Sequence, residues 1–190
     1  MKKNIILHFT FYILHYLLIM KKVLLSIFVA VIMLSCGEKM SVEKINELEA
    51  KVFAEGVSFE KENLIQLVDA YLLFAKQNPN DSQSPDFVFK ALDVAVGTSV
   101  ETPQKSIEIA DVLIEKYPDF DMTPMAMFIK GFVYENKLGD LENAEITYRQ
   151  FIEKYPDNPM VEAVKSTLEN LGLSPEELIR KFESKNEAAE

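Results

Sequence analysis

The side chains that most often carry enzymatic or metal-binding chemistry are confined to the start of this chain. Both histidines, His8 and His15, and the single cysteine, Cys36, lie in the first 36 of 190 residues, and there is no tryptophan. The chain after Cys36 therefore lacks imidazole and thiol groups. This excludes Ser-His-Asp and Cys-His nucleophilic catalysis, Cys/His zinc sites and disulfides from that part.

Carboxylates are the remaining candidates for acid–base chemistry. Glu176 and Glu177 are adjacent, but near a helix start the helix dipole already favours acidic residues, and a glycosidase pair has to converge across a cleft. Asp119 and Asp121 have neither the glycine nor the closing glutamate of a calcium loop, so they are interpreted as solvated helix ends. The sequence predicts no catalytic residue, no metal and no cofactor.

Charge is also divided at Cys36. Four of the 20 basic residues precede Cys36, and all 30 acidic residues follow it. The chain after Cys36 therefore has sixteen basic and 30 acidic residues, which gives it a net charge of −14. Such a surface repels phosphate backbones and anionic lipid headgroups. We therefore expect no nucleic-acid binding, and a protein partner that is neutral or basic at the contact.

Residues 20–36 have the three parts of an export signal. A Lys21-Lys22 start is followed by a 13-residue apolar run and a small-residue site that ends at Cys36. The run is shorter than the roughly 20 residues that a transmembrane helix needs, which favours a signal peptide. An uncleaved single-pass anchor, or a buried unreactive cysteine, is the alternative.

The last four residues of this segment resemble the lipobox of bacterial lipoproteins, with Met33 where that family usually has leucine. The resemblance implies acylation of Cys36, cleavage before it, and attachment to a membrane by lipid. Gly37 is not the aspartate that retains such proteins at the inner membrane of enteric bacteria, so a periplasm-facing outer-membrane location is expected. Residues 1–19 are interpreted as upstream reading frame, with translation starting at Met20, or as additional leader sequence, and residues 37–40 as a linker.

Three prolines recur at a regular interval. Pro79, Pro118 and Pro156 each end a stretch with helical apolar periodicity, and they are 39 and 38 residues apart. An interval of this size is typical of helical repeat arrays. The residues five positions before each proline are Phe74, Leu113 and Phe151, and those eight positions before are Tyr71, Ala110 and Tyr148, which places them on one helical face.

The other five prolines follow residues that can cap a helix, so each predicts a helix start. These pairs are Ser84-Pro85, Thr102-Pro103, Thr123-Pro124, Asn158-Pro159 and Ser174-Pro175. First helices are predicted over residues 42–54, 86–96 and 124–136, the first two ending at the C-cap glycines Gly56 and Gly97. A capping helix over 160–171 completes a repeat domain of residues 41–173, and residues 174–190 are predicted to form a short helix to about Phe182 and a disordered tail.

The third helix pair resembles a tetratricopeptide repeat. Gly131 and Ala144 are small, Tyr134 and Tyr148 are aromatic, and Phe151 and Pro156 follow at nearly the spacing of that family, with one extra residue between Gly131 and Gly139. Lys130 stands where a leucine usually packs, and the second pair is aligned with Ala91 in the glycine position. The resemblance implies an all-α solenoid of three tetratricopeptide-like hairpins with C-terminal capping helices.

In this family the first helices line a concave groove that binds partners. If Gly131 is aligned with the glycine of the family, five residues of the third pair are expected to line the groove. They are Met125, Phe128, Phe132, Glu135 and Asn136. The second pair is expected to offer Val88, Leu92 and Val96. The alternative for Phe128 and Phe132 is that they pack between repeats as ordinary core.

Together with the lipobox, the chain looks like the short tetratricopeptide lipoproteins of bacterial envelopes. It is similar in style to the lipoprotein of the outer-membrane β-barrel assembly machine and to the repeat region of the Tol-Pal coordinator. The implied function is a non-enzymatic, lipid-anchored scaffold for another envelope protein. An envelope ligand-binding or carboxylate-based hydrolytic protein is the alternative.

Overall fold

The structure is a computed structural model that describes Met20, residues 39–54 and residues 60–187. The interpretation of residues 1–19, the signal peptide, the lipobox with Cys36 and the expected C-cap at Gly56 lie outside the described residues and stay predictions. The described residues from Met40 onward form one compact unit. None of the helices in the described ranges combines the length and the apolarity that a bilayer span requires.

Eight α-helices and one π-helical turn, with no strand, make up the described part of the chain. They are α1 (Val42–Val52), α2 (Lys61–Gln77), α3 (Ser84–Thr98), α4 (Pro103–Lys116), α5 (Thr123–Val133), the π-helical turn (Tyr134–Leu138), α6 (Leu141–Lys154), α7 (Val161–Glu169) and α8 (Pro175–Glu187). From α1 to α7 each helix packs against the next, and α3 also touches α5. The predicted all-α solenoid of helix hairpins is confirmed.

The residue before each of the three periodic prolines has the same backbone conformation. The preceding residues, Asn78, Tyr117 and Tyr155, have φ of −131°, −129° and −128° and ψ of 58°, 53° and 55°. A following proline disfavours the helical conformation at such a residue, so the helix has to end there. The chain thus leaves each second helix in the same direction.

The hydrogen bonds beyond this point also recur. The N–H groups of Asp81, Phe120 and Asn158 donate to the carbonyls of Asn78, Tyr117 and Tyr155, and the next helix begins three residues later in each case, at Ser84, Thr123 and Val161. Ser84 and Thr123 are therefore equivalent, at an offset of 39. The helix α7, predicted as a cap, starts in the manner of a fourth first helix.

Three of the five predicted N-caps are wrong, namely those at Ser84, Thr123 and Asn158. Ser84 and Thr123 are the first residues of their helices rather than caps, and their hydroxyls donate backward to the carbonyls of Asn78 (2.6 Å) and Tyr117 (2.7 Å). Both side chains are fully buried, and these bonds give each hydroxyl the partner that a buried polar group needs. The tight turn takes the place of a side-chain cap.

The other capping predictions hold for two helices. Thr102 accepts from the N–H of Lys105, and Ser174 and Glu177 form the reciprocal capping box at the start of α8. Asn158 accepts from the N–H of Met160 before α7 begins, so it stabilises the turn and not the helix itself.

Two predicted helix ends are also wrong. Gly97 lies inside α3, and the left-handed residue after that helix is Ser99, with φ of 52°. At the other end of the chain α8 continues to Glu187, past Phe182, and covers most of the segment predicted as disordered. Lys181 ties α8 to the end of α7, since it donates to the carbonyl of Glu169 and to Oδ1 of Asn170.

The core is divided into two clusters along the array. One is built mainly by α1 to α4 and includes Tyr71 and Leu113; the other joins α5, α6 and α7 and includes Tyr148 and Phe151. The periodic positions that the sequence assigned to the second helices are buried in both.

Candidate groove and partner-binding surface

Close approach of α5 and α6 depends on Gly131. A Cβ atom added there would lie 2.7 Å from Cδ1 of Tyr148 and closer still to Cε1, far inside ordinary contact distance. Tyr148, Ala144 and Phe151 are fully buried on the facing side of α6, and Tyr134 is half-buried beside them. These structural roles for the third unit match the positions that the tetratricopeptide resemblance implies.

The extra residue between Gly131 and Gly139 is accommodated by the π-helical turn. Residues Tyr134–Leu138 widen the helix by one residue, and Gly139 closes it with φ of 65° while Asp140 donates to the carbonyl of Tyr134 (2.8 Å). Single π turns of this kind absorb an insertion without breaking a helix. Glu135 in this turn accepts a hydrogen bond from the hydroxyl of Tyr148 (2.8 Å).

The equivalence of Ser84 and Thr123 determines which residues of α3 correspond to the predicted groove residues of α5. The offset of 39 pairs Asp86 with Met125, Phe89 with Phe128, Asp93 with Phe132 and Val96 with Glu135. These eight residues, together with Asn136, are called the groove stripe below. All are half-buried or exposed, and Phe132 is among the exposed large apolar side chains of the described chain.

Two predicted groove residues of the second unit are placed wrongly. Val88 and Leu92 have no exposed surface, so they present nothing to a partner, whereas Val96 lies on the stripe. The error came from aligning Ala91 with Gly131, because the turn geometry aligns Leu92 instead. One residue is a rotation of about 100° on a helix of 3.6 residues per turn, enough to exchange a core face for a groove face.

Phe128 and Phe132 were predicted either to line the groove or to pack between repeats, and the structure buries them to different extents. Phe128 is half-buried and its ring packs on that of Tyr148, with centroids 5.8 Å apart. Phe132 is 37% exposed, one turn farther along α5. The core therefore covers part of Phe128, while Phe132 is available at the surface; contact of the stripe with a partner stays a prediction.

Lys130 stands at the position where the family usually has a buried leucine. Its side chain is about one-fifth exposed, and its ammonium pairs with Asp111 of α4. The aliphatic stem is thus buried and the charge is neutralised at the edge of the packing.

A polar cluster around Glu49 was not anticipated from the sequence. The hydroxyl of Tyr71 on α2 and the ammonium of Lys90 on α3 both donate to Oε1 of Glu49 at 2.7 Å. Burial disfavours the charged form of Glu49, but the bonds from Lys90 and Tyr71 and the Lys90 charge outweigh it and lower the pKa. Burial and the nearby carboxylate raise the pKa of Tyr71.

The same motif recurs in the third unit, where Tyr148 donates to Glu135 and burial again raises the tyrosine pKa. Tyr71 and Tyr148 are equivalent positions, each eight residues before a periodic proline. The sequence signal was therefore the tyrosine pair itself, taken together with a glutamate on the preceding helix of each unit.

Charge on the groove stripe is unevenly distributed. On α3, Asp86 and Asp93 are exposed, while the neighbouring positive charge of Lys90 is held by Glu49. On α5 the equivalent positions are Met125 and Phe132, so an apolar strip lies beside an acidic one. This arrangement suits an apolar segment that also carries positive charge.

Four cavities lined by described residues of the array each include a single carboxylate. Glu101, Glu108, Glu135 and Glu153 lie in separate cavities. A hydrolytic pair needs two carboxylates in one site, so these cavities give that alternative no support. No group of three or more His, Cys, Asp or Glu side chains placed to hold a metal occurs within the ranges the structure describes.

Comparison with protein-family models identifies the third unit. Residues 125–158 match the family described as tetratricopeptide repeat, the same stretch that holds Gly131, Tyr148 and the periodic Pro156. A search of curated proteins and a search of solved structures returned no match to the chain. The family match and the helical solenoid together support a tetratricopeptide-type protein, a class that generally binds other proteins.

Proposed function

We propose that this protein is a scaffold of the bacterial cell envelope, anchored by lipid at Cys36, that holds another envelope protein in its concave groove. The observation that carries the proposal is the groove stripe: an exposed Phe132 beside Met125 and Phe128 on the very helix that matches a protein-binding repeat family. Exposed aromatic side chains at helical spacing are common anchors in protein interfaces.

The charge of the stripe defines the partner further. Asp86 and Asp93 flank the apolar strip with two carboxylates, and the part of the chain after Cys36 carries a net charge of −14. A neutral or basic segment can dock there without like-charge repulsion, whereas an acidic one cannot. The partner contact is therefore an apolar segment with lysine or arginine next to it.

The envelope location rests on the leader. A lysine-rich start, a short apolar run and Cys36 at its end are the features of a lipoprotein signal, and Gly37 favours the outer membrane. Anchoring confines the scaffold and its partner to one surface, which raises their effective concentration without any further contact. A role in outer-membrane assembly or maintenance follows from this location.

A photocrosslinking amino acid at position 132 tests the groove in living cells. We expect a crosslinked adduct with one protein species from solubilised membranes when the probe replaces Phe132. The matched control places the probe at Ile146, an equally apolar residue on α6 that is 45% exposed and lies outside the stripe. Adducts at both positions, or at neither, would count against a groove-binding scaffold.

Mass spectrometry of the purified protein tests the anchor separately. The expected mature N-terminus is an acylated Cys36, and a Cys36→Ser variant should lose membrane attachment. Recovery of peptides from residues 1–19 would show that translation starts upstream and would contradict the proposed leader.

A further inference from the structure

A cavity between α2 and α4, the second helices of the first two units, has a chemistry unlike that of the groove. Its volume is about 420 Å³, within the range of small-molecule sites, and no residue of the groove stripe lines it. Val88 of α3 also lines the cavity. This residue was predicted for the groove but is buried in the core. The cavity thus lies on a separate face of the array.

Aliphatic side chains form the floor of this cavity and cations form its edge. The floor consists of Leu72, Ala75, Val88, Ile109 and Val112. The charged residues that line it are Lys76, Lys105, Lys116 and Glu108. An apolar trough with a positive edge matches a molecule that has an apolar body and a negative end.

The positive edge of this cavity is unusual for a protein whose chain after Cys36 is strongly negative. After Cys36 the chain has sixteen basic and 30 acidic residues, yet this cavity gathers three of the former and one of the latter. Lys105 lies 3.8 Å from Glu108 in an exposed pair of little energetic weight. Lys76 and Lys116 have no carboxylate partner among the residues that the structure describes, so both charges are available to a ligand.

Comparison within the array separates this cavity from ordinary repeat architecture. The next cavity, about 430 Å³, is lined by Met127, the equivalent of Val88, and by Gln150, Glu153 and Lys154. Lys154 corresponds to Lys116, so a lysine near the end of a second helix is explained by the helix dipole alone. What distinguishes the cavity between α2 and α4 is that two such lysines, Lys76 and Lys116, line one aliphatic floor.

Dimensions limit the length of the ligand. Lys105 and Lys116 lie at opposite ends of α4, and eleven residues of helix span on the order of 16 Å. Lys76 stands in the last turn of α2, and Lys116 in the last turn of α4, so these two lysines share one end of the trough. An extended acyl chain of medium length, with its charged group at that end, fits this space.

We propose that the cavity between α2 and α4 binds a medium-chain carboxylate, with its acyl chain on Leu72, Ala75, Ile109 and Val112 and its carboxylate at Lys76 and Lys116. Binding is non-covalent, and it does not depend on the groove or on its protein partner. The protein would then hold two kinds of ligand on separate faces.

Calorimetric titration of the purified full-length protein with laurate, below the micelle concentration, tests the site. We expect saturable binding of laurate, weaker binding of dodecanol, which has the same chain without charge, and no binding of dodecyltrimethylammonium. The double variant Lys76→Gln/Lys116→Gln should bind laurate at least tenfold more weakly. Lys154→Gln, which changes the equivalent lysine of the other cavity, should bind it as the wild type does.

Three binding results would overturn the proposal. They are equal laurate affinity in the double variant and the wild type, equal affinity for laurate and the cationic analogue, and no laurate binding at all. A dimer in light scattering that the double variant dissolves would also overturn it, because the surface would then belong to a second copy of the chain. Because these lysines are remote from the groove stripe, none of these results depends on crosslinking at Phe132.

Discussion

The ring of Tyr148 occupies the space that any side chain at position 131 would need. The equivalent positions of the second unit, counted from the shared turns, are Leu92 and Ala110, both fully buried. There the large residue is on the first helix and the small one on the second, the reverse of Gly131 and Tyr148. Both units thus pair one large and one small residue where their helices approach, as close packing requires.

Gly131→Ala should destabilise the protein by about 1–3 kcal/mol, because the new methyl group overpacks the contact with Tyr148. Urea unfolding monitored by circular dichroism measures the change. Gly97→Ala is the matched control: Gly97 is also helical, but a Cβ there has nothing within 4 Å. That substitution should leave stability unchanged or raise it by up to about 1 kcal/mol, through helix propensity alone.

A double substitution checks that the clash with Tyr148 is the cause. Gly131→Leu/Tyr148→Ala reproduces the residue types of the second unit, so its destabilisation should be smaller than the sum of the two single effects by at least about 0.5 kcal/mol. Strict additivity would mean that the two side chains do not compete for one space.

Glu49 should make the first helix pair sensitive to acid. Its pKa is lowered in the folded state, so the stabilisation is complete above the ordinary value of 4.5 and is lost as pH falls through the folded value. At neutral pH, Glu49→Gln should therefore cost about 1 kcal/mol, a modest figure because Lys90 is half-exposed. The difference from wild type should shrink as pH falls below about 4.5.

Unfolding curves across this pH range, for wild type, Glu49→Gln and Glu47→Gln, supply the measurement. Glu47 is exposed on the same helix and forms no ion pair with another described residue. Its substitution should leave the stability at neutral pH unchanged. A constant gap between Glu49→Gln and wild type at every pH would assign the effect to packing instead.

Tyr155→Phe should leave stability unchanged or increase it by up to about 1 kcal/mol. The hydroxyl of Tyr155 is buried without a hydrogen-bond partner, and an unsatisfied buried donor is costly. Its ring contact with Phe151, at 5.6 Å between centroids, is kept by phenylalanine. Thermal unfolding of the variant gives the sign directly.

Tyr117, at the same place in the preceding unit, provides the contrast. Burial raises the pKa of Tyr117, and a hydrogen bond with Ser84 partly opposes that rise. Removal of its hydroxyl should cost about 0.5–1.5 kcal/mol, the usual net value of one hydrogen bond. If Tyr117→Phe and Tyr155→Phe shift the unfolding temperature equally, the orphaned hydroxyl is not the explanation.

Deleting Lys137 should be tolerated, because the π-helical turn contains one residue more than a regular helix needs. The exposed Lys137 loses only its 3.2 Å bond to Ser99. Deletion of Glu108, an exposed residue inside α4, should instead shift every following core residue of that helix and unfold the unit. Far-ultraviolet circular dichroism and unfolding midpoints distinguish the two deletions.

The periodic prolines predicted a helical repeat array, since Pro79, Pro118 and Pro156 mark one backbone conformation that a following proline favours. The tetratricopeptide-like hairpins came from the family resemblance of the third unit. The predicted groove residues of the third unit came from placing Gly131 at its family position, and their contact with a partner stays a prediction. The second unit was predicted less well because Ala91 and Leu92 are both acceptable beside Ala110, so residue type did not determine the phase. The shared turn hydrogen bonds determined it.

The Glu49 cluster was not predicted, because its partners are remote in sequence and only the recurring tyrosine pointed to it. Tyr71 is 22 residues away and Lys90 is 41 residues away, on two different helices. Helical periodicity predicts which face of a helix is buried. It does not predict which polar group on another helix a buried side chain will contact. Likewise the extra residue before Gly139 was visible, but only backbone geometry shows that a π turn absorbs it.

The recurring turn makes the array extensible. A copy of residues 79–117 inserted after Tyr117 would meet the same φ and ψ at both joins, since Asn78 and Tyr117 differ by only a few degrees. Duplication of one unit within the gene could therefore lengthen the protein without disturbing the backbone on either side. What each added unit recognises would then be set independently, by the exposed faces of its own helices.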